Sequence, residues 1–223
     1  MPLVVDSQLG SFRLNYLFNR IEQSFDGREN WHIFFQDDSN LLGTLLGLTV
    51  HREKLYVVTS LGIYASCLES PTFERVCPQR KGDEDFVDIE SFNNMLYACT
   101  NKGIYQAASG TRWRLKYDGN TCGHFFSLLS FNGALLTACE KGIYVGSQEG
   151  RFWHPRYVGK EFGMFVAIDA RDGVLYAQTN KGFCISRDGG QHWEAHPKLI
   201  GPWTNAMGGS MIFEPCSDHT TNK

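Results

Sequence analysis

The stretch "NKGIYQAASG", residues 101–110, decides the fold because close copies of its first half occur three more times in the chain. The copies read "SLGIYAS" from Ser60, "EKGIYVGS" from Glu140 and "NKGFCIS" from Asn180. The glycine that they share recurs at Gly62, Gly103, Gly142 and Gly182. Successive copies are therefore separated by 41, 39 and 40 residues. A fixed period in this range predicts a solenoid, a propeller or another repeat array.

Further short segments repeat around each glycine in the same order. A segment with the composition of a β-strand precedes it, as in "KLYVVT" from Lys54 and "VLYAQT" from Val174. An aromatic residue follows it, at Phe73, Trp113, Trp153 and Trp193. Short runs of Val, Ile, Tyr and Phe bounded by Gly, Asn and Asp predict β-strands joined by hairpins. Each unit therefore predicts four antiparallel strands, A to D. Apolar residues occupy both sets of alternating positions in these strands, which is typical of sheets covered on both faces.

The tight turn between strands B and C is predicted to need glycine. Glycine adopts positive φ without the steric cost that other residues incur. We therefore expect positive φ at Gly103 and Gly182, and a substitution by valine at either position should destabilise the protein.

A fifth, more diverged copy precedes the other four. "NRIEQSFDGRENW" from Asn19 aligns with "KGFCISRDGGQHW" from Lys181, but no A strand is evident upstream of it. "GGSMIFEP", residues 208–215, has the composition of such a strand, so we predict that it pairs into the first unit and closes a ring. Closure removes exposed strand edges.

The predicted fold is all-β: a single domain, residues 1–223, forming a five-bladed β-propeller of four-stranded antiparallel blades. Its last strand pairs into blade one. The predicted boundaries are 9–36 plus 208–215 for blade one, 42–77 for blade two, 85–117 for blade three, 124–157 for blade four and 163–198 for blade five.

"SRDGGQHW", Ser186 to Trp193, follows the pattern Ser-x-Asp-x-Gly-x-x-Trp and resembles the BNR/Asp-box repeat of sialidases and many other propellers. "SFDGRENW" from Ser24 is a weaker match, with Arg28 where glycine is expected. The resemblance implies that these turns lie on the outer side of the blades, away from the face that binds ligands. We interpret Ser186, Asp188 and Trp193 as structural, because Ser and Asp side chains can bind backbone N–H groups in tight turns and tryptophan is a large apolar anchor.

Composition excludes several classes of function. The net charge is −3 and the pI about 6.2, without the basic patch typical of nucleic-acid binding. No leader-like segment opens the chain, and no apolar run approaches the roughly 20 residues that span a bilayer. Seven scattered cysteines without a CxxC pair indicate a reduced protein without a zinc ribbon. We therefore expect a cytoplasmic protein that binds neither nucleic acid nor a membrane, and nothing in the sequence indicates its oligomeric state.

Family resemblance implies that ligands bind where the D-to-A and B-to-C loops meet the central channel. The B-to-C turns place Lys102, Lys141 and Lys181 at equivalent positions, where blade two has Leu61 and blade one has Asn19. Three lysines on one rim would attract anions, although lysine is also a common solvated turn residue. The D-to-A loops differ from blade to blade while the scaffold repeats, which is typical of binding surfaces.

The D-to-A loops supply the other candidate binding residues, Arg80, Arg156 and Trp203. Their acidic residues would suit calcium chemically, but no calcium-loop spacing is present, so solvated acidic turns are favoured and no metal is predicted. These residues are Asp37, Asp38, Asp83, Glu84 and Asp85.

The sequence favours a non-enzymatic module that binds a protein or peptide, and two alternatives stay open. A lectin would repeat its sugar site in each blade, whereas these loops do not repeat. A sialidase-like glycoside hydrolase would need converging arginines, and Arg171 lies apart from the two loop arginines. Asp88 and Asp169 could act as acid and base at the channel. We predict no catalytic residue and no cofactor.

Overall fold

The structure is a computed structural model, and it describes residues 4–79 and 84–196. Twenty β-strands in these residues form five antiparallel sheets of four strands each, and in every sheet the strands follow one another in chain order. The predicted all-β propeller of five four-stranded blades is confirmed. No helix long and apolar enough to cross a bilayer occurs in the described ranges.

The strands, numbered along the chain, have the following bounds. Blade one contains β1 (Val4–Ser7), β2 (Gly10–Asn15), β3 (Arg20–Ser24) and β4 (His32–Gln36). Blade two contains β5 (Leu45–His51), β6 (Lys54–Thr59), β7 (Gly62–Cys67) and β8 (Glu74–Pro78). Blade three contains β9 (Phe86–Phe92), β10 (Met95–Thr100), β11 (Ile104–Ala107) and β12 (Arg114–Tyr117). Blade four contains β13 (Phe125–Phe131), β14 (Ala134–Cys139), β15 (Gly142–Ser147) and β16 (Phe152–Tyr157). Blade five contains β17 (Phe165–Arg171), β18 (Val174–Thr179), β19 (Gly182–Ser186) and β20 (Glu194–Ala195).

Buried apolar side chains hold consecutive blades together. Each of four clusters combines residues from two neighbouring blades, for example Phe12 with Leu48 between blades one and two. The first residue of strand A is fully buried in blades three, four and five, as Phe86, Phe125 and Phe165. Burial of one such side chain is worth about 1.5–3 kcal/mol, so these contacts make the ring rather than the single sheet the stable unit.

An A strand of blade one does lie upstream, and the expectation that none exists is wrong. β1 pairs with β2 over four residues, from Val4 opposite Arg13 to Ser7 opposite Gly10. It occupies the position beside β2 that we had assigned to residues 208–215, which lie outside the described residues. Asp6 ties β1 to the blade, because it accepts a hydrogen bond from Ser11 Oγ at 2.6 Å and forms an ion pair with Arg28 at 2.6 Å.

The B-to-C turn glycines differ from expectation at one of two positions. Gly182 has φ +134°, as predicted, but Gly103 does not have positive φ. The Gly103 N–H donates to Thr100 Oγ1 at 2.9 Å, while its carbonyl accepts the Thr100 N–H at 2.8 Å. The threonine side chain therefore replaces one backbone hydrogen bond of the hairpin, and the turn takes another conformation. Gly103 is still constrained, since an added Cβ would lie 2.7 Å from the Tyr117 carbonyl oxygen.

The turn between strands C and D repeats in four blades. In each, the tryptophan Nε1–H donates to the carbonyl three residues earlier, at 2.7–3.2 Å. The accepting residues are Arg28, Gly110, Gly150 and Gly190, and all four have φ between +76° and +89°. Glycine is the usual residue for this conformation, and Arg28 adopts it in spite of its Cβ.

Candidate functional site

The B-to-C turns and the D-to-A loops form one end of the ring, which we call the loop face. At four junctions the first residue of the turn donates its N–H to the carbonyl of the residue just before strand A. The donor and acceptor pairs are Ser60 and Thr44, Asn101 and Asp85, Glu140 and His124, and Asn180 and Met164, at 2.8–3.3 Å. Each loop is therefore fastened to the turn of its own blade, although the loops differ in sequence.

Three lysines lie on this face in consecutive blades, and we call them the lysine rim: Lys102, Lys141 and Lys181. All three are exposed. Lys141 Nζ donates to the Thr121 carbonyl at 2.7 Å, and Lys181 Nζ donates to the Lys160 carbonyl at 3.0 Å. Because a carbonyl is neutral, these contacts position the ammonium groups without cancelling their charge. The lysine rim thus places three ammonium groups on this edge of blades three to five, beside the exposed carboxylates of Asp118, Glu140 and Glu161.

The other sequence-predicted residues do not join the lysine rim. Arg80 and Trp203 lie outside the described residues. Arg156 lies in β16 rather than in the loop after it, and its Nε donates to the Gly189 carbonyl at 3.0 Å. Gly189 belongs to the C-to-D turn of blade five, at the opposite end of the sheet from the B-to-C turns. Strand pairing skips Arg156, because Ile143 pairs with Tyr157 and Tyr144 with Pro155, and the same shift in register occurs between strands C and D of blades one, two and three.

Blades one and two present large apolar side chains on the loop face, which we call the apolar patch. Its members are Leu17, Phe18, Leu41 and Leu61, with exposed fractions of 78%, 55%, 71% and 43%. In the sequence, the Leu61 position differs from those of blades three to five only in lacking lysine. The signal for the apolar patch is the occurrence of large apolar residues inside predicted turns, as in "LF" at residues 17–18.

Hydrogen bonds bring the segments of the apolar patch together. Asn19, which follows Phe18, donates from Nδ2 to the Gly43 carbonyl at 3.0 Å and accepts the Leu45 N–H at 2.8 Å. Ser60 Oγ accepts the Thr44 N–H at 3.0 Å. The loop that carries Leu41 is thus held between the turns of blades one and two.

The acidic loop residues brace the backbone. Asp37 accepts the N–H groups of Leu41 and Leu42 at 2.9 and 2.7 Å, one on each carboxylate oxygen. Glu84 Oε1 accepts the hydroxyls of Thr100 and Tyr105 at 3.1 and 2.6 Å. Asp83 lies outside the described residues. Within residues 4–79 and 84–196, no group of three or more His, Cys, Asp or Glu side chains could hold a metal ion.

The central channel is lined by side chains that join neighbouring blades. Asp88 accepts the N–H of Ile89 at 2.8 Å and, across to blade four, that of Leu128 at 2.9 Å. Glu90 Oε1 accepts both the N–H and the hydroxyl of Ser130, at 3.1 and 2.5 Å. An inner strand has no partner strand on its channel side, so these carboxylates satisfy backbone groups that would otherwise be unpaired.

A cavity of about 340 Å³ opens at the end of the channel opposite the loop face. All five inner strands contribute to it, with Val5, Thr49, Glu90, Leu129 and Asp169 at equivalent positions. The Asp169 carboxylate accepts the Ala170 N–H at 2.8 Å. The channel carboxylates therefore serve the scaffold, and their geometry gives no support to an acid and base pair made of Asp88 and Asp169.

The burial of Glu90 should make the stability of the ring depend on pH. Desolvation raises the pKa of Glu90 from 4.5 to about 7. The hydrogen bond from Ser130 lowers this pKa, but its effect is smaller than that of desolvation. The folded protein thus holds this proton more tightly than the unfolded chain does. The contribution to stability is complete below pH 4.5 and is lost as the pH rises to about 7, a change of about 3 kcal/mol at 1.36 kcal/mol per pKa unit.

Urea unfolding at pH 5 and pH 8 measures this dependence. Glu90→Gln keeps an acceptor for Ser130 and removes the titration, so the stability difference between the two pH values should shrink by about 2.5 kcal/mol. The exposed Glu149, which lies on the outside of blade four, provides the control, and Glu149→Gln should retain the dependence of the native chain. An unchanged dependence in Glu90→Gln would show that this carboxyl is not desolvated in the folded protein.

Comparisons with protein-family models and with curated proteins give no match. Solved structures do match. The extracellular domain of a candidate one-component system from B. thetaiotaomicron is 15% identical with a TM-score of 0.58, over 82% of this chain and 27% of that one. A candidate gluconolactonase is 11% identical with a TM-score of 0.63, over 85% and 75% of the two chains. YCF48 bound to the D1 peptide is 13% identical with a TM-score of 0.55, over 88% and 66%. Identities this low show a shared β-propeller fold and no more.

Proposed function

We propose that this protein is a non-enzymatic binding module that captures a peptide or protein segment on its loop face. The observation that carries the proposal is the fastening of dissimilar loops to the repeated turns. A surface that varies on a rigid scaffold suits specific recognition, and a preorganised surface loses little conformational entropy when it binds. The lysine rim adds a charged edge that attracts acidic partners.

Two further observations support a binding role over catalysis. The channel carboxylates accept backbone N–H groups, so they are occupied by the scaffold. The structural neighbour YCF48 is bound to a peptide, and by analogy of fold we extend this kind of ligand to the present chain. A lectin would need equivalent sugar sites, whereas the loops of the loop face differ.

We also propose that the repeats are of the BNR/Asp-box type. Ser24 and Ser186 each donate to the aspartate two residues later, at 2.7 and 2.9 Å. Each serine Oγ in turn accepts the N–H four residues after it, at 3.0 and 2.8 Å. The two turns therefore share one hydrogen-bond pattern, and that pattern explains the Ser-x-Asp spacing without a ligand.

Charge reversal on the lysine rim tests the proposed function. The variant Lys102→Glu, Lys141→Glu, Lys181→Glu changes the charge of one edge by about six units. Exposed charges contribute about 0–1 kcal/mol each, so the melting temperature should change little. In pull-downs read by mass spectrometry, the native chain should enrich specific proteins that the variant loses, and association should lose much of its salt dependence.

The matched control lies at the opposite end of the ring. Arg187→Glu with Gln191→Glu alters the C-to-D turn of blade five and should leave capture unchanged. If this control loses capture while the lysine variant keeps it, the binding surface lies at the end of the ring opposite the loop face, and the proposal is wrong.

A further inference from the structure

We infer that the partner segment is amphipathic: apolar side chains of the partner pack on the apolar patch, and its carboxylates lie against the lysine rim. This inference rests on the proposed function and names the chemistry of the ligand. The loop face is divided, because the equivalent turn position changes from apolar in blade two to lysine in blades three to five. A ligand that spans the ring therefore meets an apolar half and a half that carries the lysine rim.

The apolar half has the character of an interface. Single exposed leucines are common on protein surfaces, but a group of large apolar side chains marks an interaction site. Leu17 and Phe18 lie within two residues of Asn19, and Leu41 lies within two residues of Gly43, to which Asn19 is hydrogen-bonded. A Cβ placed on Gly43 would lie 3.1 Å from Leu61 Cγ, so the turn of blade two meets the same junction.

The apolar patch is held in place before any ligand binds. Asp37 fixes the backbone of residues 41 and 42 through two hydrogen bonds, and Asn19 and Ser60 hold the C-terminal end of the same loop at residues 43–45. Such preorganisation reduces the entropy lost on association. The patch therefore offers fixed anchoring positions rather than mobile side chains on a loose loop.

Charges beside the apolar patch orient the ligand. Arg20 lies over the Phe18 ring at 4.7 Å and is ion-paired at 2.5 Å with Glu22, a carboxylate that Arg13 also contacts at 2.6 Å. Asp37 and Asp38 lie on the loop that carries Leu41 and would repel acidic residues of a partner. The acidic part of the ligand is thus directed away from the patch and towards the lysine rim, which specifies one orientation.

The observations favour a partner over other occupants of this face. Residues 197–223 of this chain contain two lysines and two acidic residues, so the segment carries no net charge to match the lysine rim. A second copy of the chain would bring its own three lysines to the interface, and like charges would oppose each other. An acidic partner segment meets neither objection.

Selection from a displayed library of random 12-residue peptides tests the inference directly. The native chain should enrich peptides that combine Asp or Glu with Leu, Ile, Phe or Met. Selection on Leu17→Ser, Leu61→Ser should retain the acidic preference and lose the apolar one. The most enriched native peptide should bind this variant at least about tenfold more weakly in fluorescence anisotropy, since each buried leucine contributes on the order of a factor of ten.

A matched control uses an exposed aromatic residue at the other end of blade one. Phe25 is 69% exposed on the C-to-D turn, and Phe25→Ser should leave both the selected peptides and their affinities unchanged. Loss of the apolar preference in Phe25→Ser, with none in the Leu17 and Leu61 variant, would overturn the assignment of the surface.

The remaining outcomes separate this inference from the proposed function. If the native chain enriches acidic peptides without an apolar preference, the inference is wrong while the lysine rim still binds peptides. If the native chain enriches no peptide, both proposals are wrong. If sedimentation velocity shows that Leu17→Ser, Leu61→Ser dissociates an oligomer, the patch is occupied by a second copy and the inference is wrong.

Discussion

Replacing Gly142 by alanine should destabilise the protein by about 3–5 kcal/mol, a large part of the roughly 5–15 kcal/mol that holds a typical domain together. Two constraints act together at this position. Gly142 has φ +140°, a conformation that residues with a Cβ rarely adopt, and an added Cβ would overlap the carbonyl oxygen of Tyr157 on the neighbouring strand. The backbone of β15 and β16 would have to separate, which breaks the pairing of the outer strands of blade four.

Two other glycines provide controls in which each constraint acts alone. Gly133, in the A-to-B turn of the same blade, has φ +74° and no atom of the described residues within 4 Å of an added Cβ, so Gly133→Ala should cost only the conformational part, about 1–3 kcal/mol. Gly103 has the steric constraint without positive φ. Urea unfolding of the three alanine variants measures the order, and equal losses at Gly142 and Gly133 would contradict the steric contact.

Replacing Asp88 by alanine should cost about 2–6 kcal/mol. The carboxylate is fully buried and accepts the N–H groups of Ile89 and Leu128, so its removal leaves two buried donors without an acceptor at about 1–3 kcal/mol each. Leu128 belongs to the next blade, so the junction between blades three and four is weakened directly. Burial raises the pKa of Asp88, and Asp88→Asn, which retains one acceptor oxygen, should lose about half as much.

A second residue that bridges two blades is the control for Asp88. Thr49 Oγ1 accepts one N–H from the next blade, that of Ser91 at 3.1 Å, so Thr49→Val should cost about 1–3 kcal/mol. Denaturant unfolding of the three variants gives the comparison. A loss in Asp88→Ala no larger than that in Thr49→Val would show that the carboxylate does not support the junction.

The repeat made most of the fold predictable, and its limits explain what was missed. A glycine and an aromatic residue at a constant period identify strands B, C and D, because each copy confirms the others. β1 was not predicted because "VVDS" is only four residues long. The B-to-C turn of blade one also lacks the repeated glycine from which the position of strand A could be counted, so periodicity alone could not identify β1. The conformation of Gly103 depends on the hydrogen bond that its N–H donates to the Thr100 side chain, which the shared residues of the repeat do not reveal.

The candidate site was predictable only in the half that carries the lysine rim. The lysines occupy one position of the repeat, so their placement on one face follows from the fold. Leu17, Phe18 and Leu41 resemble core residues in sequence, and only the direction in which the turns project makes them exposed. Arg156 could not be placed, because a register shift in β15 and β16 determines where its side chain lies.

Mapping of amide chemical shifts on the isotope-labelled protein, with a peptide enriched in the selection, tests most directly whether the loop face is the binding surface. We predict that the shifted amides fall in residues 17–19, 40–44 and 60–61 and in the turns of the lysine rim at 101–103, 140–141 and 180–181. Shifts confined to the C-to-D turns at 25–31 and 187–193, or to the channel around Glu90, would contradict the assignment of this face.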